Sequence, residues 1–454
     1  MIWLLIACSG TSLLNSSIVS DDTAATAAKV QTVIEVSFTL DEAADVHVAY
    51  TLDGVDKVTP TRSLAAGDHM MRVLGVPAAK TVTWSVVAVD SAGETHNGEG
   101  GELRVGNIPS AIPTFNVNIW DETQTVESWM AGAIITTDGE DVQFVMDRDG
   151  NVVWYHTTPV ELVTPWAEPS LHNDKRGILI NEFQEDFCTD VGQVVRYDMS
   201  GEIIEEIRTI EGHHVFLEHE DGTIAYMARD VRDVDGYDEP VCGDKVVEVA
   251  PDGTNTELFT IWDHHEVTPN NGMEIEFYCD CIDWTHSNML GWYPDKNTYL
   301  FSFANTDTVV EFDRDSGELI RQFGKEPGSY VFDPLISSFA RQHGVSYTDT
   351  DTFLVSQTTL SVKETTMREY TVDDDSATLV REWEYGKDLG YYALALGEAH
   401  RLPNGNTLAN FGSAGIMQEV NAAGEIVWES TLDVGGILGR TVFFDDIYDL
   451  ESVE

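Results

Sequence analysis

The sequence predicts an all-β protein, a small N-terminal β-sandwich followed by a six-bladed β-propeller. Three observations predict it. Between Val30 and Pro113, short runs alternate apolar and polar residues and are broken by Gly, Pro and Asp turns, as half-buried antiparallel strands require. Beyond a Pro-containing joint at Asn107 to Phe115 the pattern changes to a longer internal repeat. No stretch of useful length carries a helical 3.6-residue period, which argues against a barrel of alternating strands and helices.

The chain has 454 residues, enough for two ordinary cores. The expected division is a leader over residues 1–20, the sandwich over 21–112 and the propeller over 113–454. The leader "MIWLLIACSGTSLLNSS" is a short apolar run ending in Leu5, Ile6, Ala7 and Cys8, and it resembles a bacterial lipoprotein signal in which Cys8 is lipidated after cleavage. No Lys or Arg precedes the run, so a truncated ordinary signal or a misplaced start codon are alternatives. The expected location is outside the cytoplasm, as a periplasmic or cell-surface lipoprotein or otherwise as a secreted protein. Acidic residues number 79 against 25 Lys plus Arg, a net charge of -54 spread along the whole chain. That charge excludes nucleic acid and anionic membrane surfaces as partners and leaves an N-terminal lipid as the only membrane contact.

The sandwich strands are read in "TVIEVSFTL", "DVHVAYTL", "HMMRVLGV" and "TVTWSVVAVDSAG". The piece "LGVPAAKTVTWSVVAVDSAGE" resembles the later strands of a fibronectin type III domain. His47, His69 and His96 fall here and are expected on the outer faces or ends of strands.

The repeat consists of two hairpin halves. First halves such as "HHVFLEHEDGTIAYM", "HSNMLGWYPDKNTYLFSF" and "QHGVSYTDTDTFLVSQ" alternate with second halves such as "VVEVAPDGTNTELFTIW", "VVEFDRDSGELIRQFG" and "REYTVDDDSATLVREWEY". Six copies at roughly 57 residues each give six four-stranded blades. The first strand of each blade lines the central channel, so strand starts share one rim. His213, His214, His286 and His343 begin the first strands of blades three, four and five and are expected to converge on one channel mouth. Counted back from their hairpin tips, His214 and His343 occupy the same position. His172 and His400 lie nearer the turns of blades two and six, and blade one, expected to begin at Ala131 to Ile135, has no histidine. Converging histidines suit acid-base, nucleophilic or metal chemistry.

Apart from Cys8, the cysteines are Cys188, Cys242, Cys279 and Cys281, an even number in an oxidising compartment. Two disulfides on the histidine rim are expected, with Cys279 and Cys281 each paired to one of Cys188 and Cys242, because a Cys-x-Cys bridge closes too tight a loop. A Cys/His zinc site is the competing reading. The loop "DVDGYDEP" from Asp233 to Pro240 has the Asp-x-Asp-Gly look of a calcium loop but lacks the twelve-residue spacing and closing Glu, and is read as a solvated turn. No metal and no cofactor is predicted.

The segments "DWTHSN" (Asp283 to Asn288), "FSFANTDTVVEFDRDSGELIRQFG" and "QHGV", with "GHH" at Gly212 to His214 and "LPNGNTL" at Leu402 to Leu408, resemble the bacterial arylsulfotransferase family over about Thr114 to Ser430. The resemblance implies transfer of a sulfuryl group from an aryl sulfate to a phenol through a sulfated histidine, without a nucleotide donor. It makes His343 the nucleophile, with His286 and His214 binding the sulfate oxygens. His213, Asn288, Arg341, His400 and Arg401 are the further substrate-binding candidates. One position departs from the family: its sulfate-binding arginine in "S-x-R-H/N" falls on Ala304, and Arg341 or Arg401 are the expected substitutes. The alternative is a propeller without catalysis that binds a sulfated or other anionic ligand, or a surface partner, at the same mouth.

Overall fold

The computed structural model of the chain describes residues 18–20, 23–126, 128–136, 140–158, 162–164, 166–171, 175–184, 192–267, 281–433 and 436–451. It divides into two units, Met1–Asn107 and Ile108–Glu454.

In the first unit the apolar-polar alternation gives strands with one buried face. Ala44–Leu52 buries every second residue, and Thr81–Asp90 turns Val82, Trp84, Val86 and Ala88 inward. One antiparallel sheet holds Ala24–Ala27, Ile34–Leu40 and Gly67–Val73; the other holds Val55–Val58, Ala44–Leu52, Thr81–Asp90 and Thr95–Arg104, with Arg62–Leu64 on its edge. Ile34, Val36 and Phe38 from the first sheet share one core with Val46, Val48 and Trp84 from the second. His47, His69 and His96 are partly exposed on these strands.

The second unit is of propeller type. Its described residues form six mainly antiparallel sheets, two of which carry a short parallel strand. The inner strands are Gly436–Phe444, Ala167–Ser170, Gly212–Glu218, Ser287–Tyr293, His343–Tyr347 and Gly397–Arg401, and each sheet's innermost strands contact those of the next until the ring closes. Middle strands such as Thr298–Phe303 are buried along their whole length because neighbouring sheets cover both faces. Aromatic rings fill the wedges between sheets: Phe259 stacks on Phe312 at 4.5 Å between ring centroids, and Phe323 meets Phe353 at 5.0 Å. Four short 3-10 turns are the only helices among the described residues.

The first sheet departs from the sequence expectation. Its inner strand is not Ala131 to Ile135. The C-terminal strand Gly436–Phe444 takes that place, pairing Phe443 with Met130 and Thr441 with Gly132, and Trp129–Thr136 becomes the second strand. At the seam Phe115–Trp120 adds an outer fifth strand to the last sheet, pairing Phe115 with Leu432. The two ends of the unit pair across the seam in both the first and the last sheet, and nothing local in the sequence records that pairing. The seam is fastened by a buried ion pair between Arg148 and Glu419, with the Arg148 guanidinium over the Trp428 ring at 4.4 Å.

Candidate active site

Three inner strands begin with the same device. Ladder register slips between His213 and Phe216, between Ser287 and Met289, and between His343 and Val345. These are β-bulges, which re-aim side chains at the end of a strand. The backbone is left-handed within two of the bulges, with φ of 51° at His214 and 58° at Gly344, and just before the third, with φ of 50° at His286. Two of these residues have side chains, and such conformations persist only where the surroundings over-determine them. The bulge in the third sheet is one residue longer, so His213, pairing Met227, holds the ladder position that His343 holds opposite Ser356. His214 projects from the bulge itself, a register that counting back from the hairpin tips does not reveal.

Amide side chains lock the turns. Asn181 Nδ2 donates to the His214 carbonyl at 2.8 Å, Asn288 Nδ2 to the Gln342 carbonyl at 2.8 Å and Asn305 Nδ2 to the Asp283 carbonyl at 2.8 Å. Gln342, fully buried, donates in turn to the carbonyls of Phe303 and Thr308, each at 3.0 Å. The residue before the nucleophile candidate is thereby stitched to the neighbouring sheet.

Two buried carboxylates orient the histidines. His213 Nε2 lies 3.1 Å from Asp244 Oδ1, and His213 Nδ1 lies 2.8 Å from His214 Nδ1. Burial alone would raise Asp244, but its hydrogen bonds from His213, Thr285 and the Ser287 amide outweigh that and hold the carboxyl below its usual range. His286 Nδ1 lies 2.7 Å from Asp283 Oδ2, and its ring meets the His214 ring edge-on at 5.2 Å. Burial raises Asp283, opposed by His286.

The Cys242–Cys281 disulfide positions this second pair. It fixes the chain so that Ile282–Asp283 lies parallel to the start of Val241–Val249, pairing Ile282 with Val241 and Asp283 with Cys242. Closing a loop of 39 residues is worth about 4 kcal/mol by chain entropy. Trp284 donates its amide to the Cys242 carbonyl at 3.0 Å and packs on Trp262, which carries the Asp283 carboxylate into the interior.

His214 and His343 line one pocket together with Trp166, Val215, Asn288, Met289, Gly344, Leu396, Glu398 and Arg440. Burial pushes His343 down to about 4, with the charge of His286 adding to the shift and Glu398 opposing it. Burial also takes His214 well below its ordinary value, helped by His213, His286 and His343. Both rings are therefore neutral at neutral pH, each with a basic nitrogen to offer. Burial lowers the Arg440 guanidinium, whose intrinsic value is high enough to keep it charged. A neutral ring nitrogen beside a fixed cation can bind an anionic ester and attack its central atom.

The other sequence candidates are placed as follows. Asn288 is in the pocket, and its Oδ1 has no hydrogen-bond partner among the described residues. His213 and His286 stand behind His214. His400 faces Glu398, with Nε2 to Oε2 at 3.0 Å. Neither proposed arginine substitute lines the pocket: Arg341 Nη1 reaches Asn305 Oδ1 at 3.4 Å, while Arg401 is held at its hairpin turn by Glu369 and the Gly405 carbonyl. Ala304 is buried beside His286, its amide donating to the His286 carbonyl at 3.1 Å. Cys8, His172, Cys188 and Cys279 lie outside the described residues. Sequence reasoning missed Asp244, Glu398, Trp166 and Arg440. Asp283 was quoted in its segment without a role, and its three-residue spacing from His286 was the available signal.

For metals, the described residues bring together one group, Asp90, Glu94 and His96 of the first unit, whose donor atoms lie within 4.8 Å of one another. Its members are partly or fully exposed on a turn, and His96 Nε2 already meets Asp90 Oδ2 at 3.0 Å. The loop from Asp233 to Pro240 contributes to no such group.

The profile of the arylsulfotransferase (ASST) family matches residues 114–434. The chain belongs to the arylsulfotransferase family. Within this arylsulfotransferase match fall His213, His214, Asp244, Asp283, His286, His343 and Glu398, while Arg440 lies beyond its end. No curated protein sequence matches the chain. Among solved structures, a protein of unknown function from Bacteroides caccae is 11% identical over 71% of this chain and 100% of its own, with a TM-score of 0.46. The periplasmic gluconolactonase of Pseudomonas aeruginosa is 12% identical over 88% of this chain and 99% of its own, with a TM-score of 0.39. A virginiamycin B lyase from Staphylococcus aureus is 9% identical over 66% and 73%, with a TM-score of 0.35.

Proposed function

We propose that the second unit is a six-bladed propeller that transfers a sulfuryl group from an aryl sulfate to a phenol through a sulfated His343, without a nucleotide donor. The observation that carries this reading is the pocket in which His343, kept neutral by burial, stands with His214 and the Arg440 guanidinium. In the first half-reaction a His343 ring nitrogen attacks sulfur. The N–S bond forms as the sulfur–oxygen bond to the aryl group breaks, and the aryl oxygen leaves with the electron pair. In the second, the phenol oxygen attacks the same sulfur, the N–S electrons return to His343, and the phenol proton ends on the departed aryloxide. Asn288 and the His214 ring face the sulfate oxygens from the pocket wall, while His213 and His286 stand behind His214 and hold its orientation.

On the same reading the first unit is a fibronectin III-like sandwich and the protein is exported, with Cys8 as its lipid attachment site. The Cys242–Cys281 bond supports an oxidising compartment. The test is incubation with para-nitrophenyl sulfate, with and without phenol, followed by peptide mass mapping. Nitrophenol release that depends on phenol, with a sulfated peptide containing His343, is expected. A panel of aryl sulfates that yields neither turnover nor a sulfated histidine would move the function to anion binding without catalysis.

A further inference from the structure

We propose that Arg440 is the residue that grips the anionic group of the substrate in this pocket, a role that rests on the sulfuryl-transfer reading. Arg440 belongs to the closing strand Gly436–Phe444 and lines the pocket with His214, Asn288 and His343. Its guanidinium carbon sits over Trp166, 3.7 Å from the ring centroid, a cation–π contact that holds the head group in place before any ligand arrives.

The guanidinium has no ion-pair partner among the described residues, although Glu398 and Glu168 act on it at longer range. Among the described residues no carboxylate lies within ion-pair distance of it; its Nη1 meets only the sulfur of Met289 at 3.4 Å, and its Nε is buried without a partner. A buried cation without a hydrogen-bonded counter-ion is poorly compensated by carboxylates at longer range, so the site favours an incoming anion. The nearest carboxylates are committed elsewhere. Glu398 Oε1 accepts from the Thr441 amide, the Thr441 hydroxyl and Asn410, and its Oε2 faces His400. Glu168 accepts from Trp166 Nε1, and burial pushes it up to about 7, which halves its charge near neutral pH.

Other cations do not compete for the role. The pocket histidines are neutral, Arg341 reaches Asn305, Arg401 is paired with Glu369, and Arg196 is paired with Glu205 and Glu218. A planar fork of N–H donors matches two oxygens of a sulfate monoester, which a histidine or an ammonium does not. The ligand class is therefore a tetrahedral oxyanion or its monoester, with two oxygens on Arg440 and the central atom facing His343.

The test compares wild type with Arg440→Gln and Arg440→Lys. Thermal unfolding is followed with and without inorganic sulfate at matched ionic strength, and kinetics with para-nitrophenyl sulfate. Sulfate should raise the wild-type melting temperature, the Gln variant should lose that shift, and the Lys variant should keep part of it. The Gln variant should also lose about a hundredfold in kcat/KM, the scale of removing one fixed donor from a developing charge. An equal sulfate shift in wild type and the Gln variant, or none in the wild type, would overturn the assignment. A wild type that binds sulfate through Arg440 yet never transfers it would remove the transfer reading and leave the anion site standing. Unliganded melting curves separate lost binding from a misfolded variant, with the Lys protein as the second measurement.

Discussion

The Nδ1 atoms of His213 and His214 lie 2.8 Å apart, so a single proton bridges the two rings, one nitrogen donating and the other accepting. On its far side His213 meets Asp244, which as a carboxylate only accepts, so Nε2 donates there. Asp244 orients His213, and His213 orients His214 in the pocket. A buried carboxylate thus reaches the site through two rings.

Asp244→Asn tests that line. The carboxylate accepts from His213, Thr285 and the Ser287 amide, and a carboxamide of the same size cannot accept all three. The expected loss is roughly 1.5–3 kcal/mol of stability per charge-assisted bond, seen as a lower melting temperature. A roughly tenfold or greater fall in kcat should accompany it as His214 loses its fixed orientation. Unchanged turnover with a lowered melting temperature would make Asp244 purely structural.

His343→Ala should abolish turnover and the sulfated peptide while leaving the melting curve close to wild type, because the half-buried ring contributes no hydrophobic core contact. His286→Ala and His214→Ala should instead slow transfer and weaken sulfate binding, since they act on polar contact and orientation. A fully active His343→Ala protein would remove the nucleophile assignment.

Acid should act through the same ring. His343 has a folded value of about 4, while an unfolded histidine titrates near 6.5. Between these values the unfolded chain binds the extra proton, so this residue's effect is to lower stability as pH falls from about 6.5 to about 4. Wild type should lose stability relative to His343→Ala over that window, measured by denaturant unfolding at each pH. The transfer rate should keep a neutral nucleophile until pH approaches 4 and fall below it; a rate that halves near 6.5 would contradict the buried, neutral ring.

Gly344→Ala should damage both fold and activity. Gly344 has φ of 58°, and an added Cβ would meet the Glu398 Cβ at 2.4 Å. Left-handed strain and overpacking together cost about 2–4 kcal/mol, and relief of the clash displaces either His343 or Glu398. A stable, fully active variant would show that the bulge does not set the nucleophile's place.

Cys242→Ser, or reduction of the native protein, should lower the melting temperature and impair sulfate binding together, because the bond holds Ile282–Asp283 on its neighbour and Asp283 holds His286. The upper limit is about 4 kcal/mol. A reduced protein with native sulfate binding would separate the disulfide from the site.

The sequence by itself determined the all-β class, the repeating hairpins and the strand starts that carry His213, His214, His286 and His343, because alternation and turn residues act between near neighbours in the chain. It also marked Cys242 as a bonding partner of either Cys279 or Cys281, and the structure pairs it with Cys281. Register at the bulges was not legible: one extra residue at His214 and Val215 moves a side chain without altering the hydrophobic pattern, and only the ladder to Met227 reveals it. The ring closure was hidden more deeply. Gly436–Phe444 reads as one more strand at the end of the chain, and it becomes the innermost strand of the first sheet by pairing with Trp129–Thr136, far from it in the sequence. That pairing brings Arg440 into the pocket with His343, a neighbourhood decided by tertiary structure and not by any local pattern.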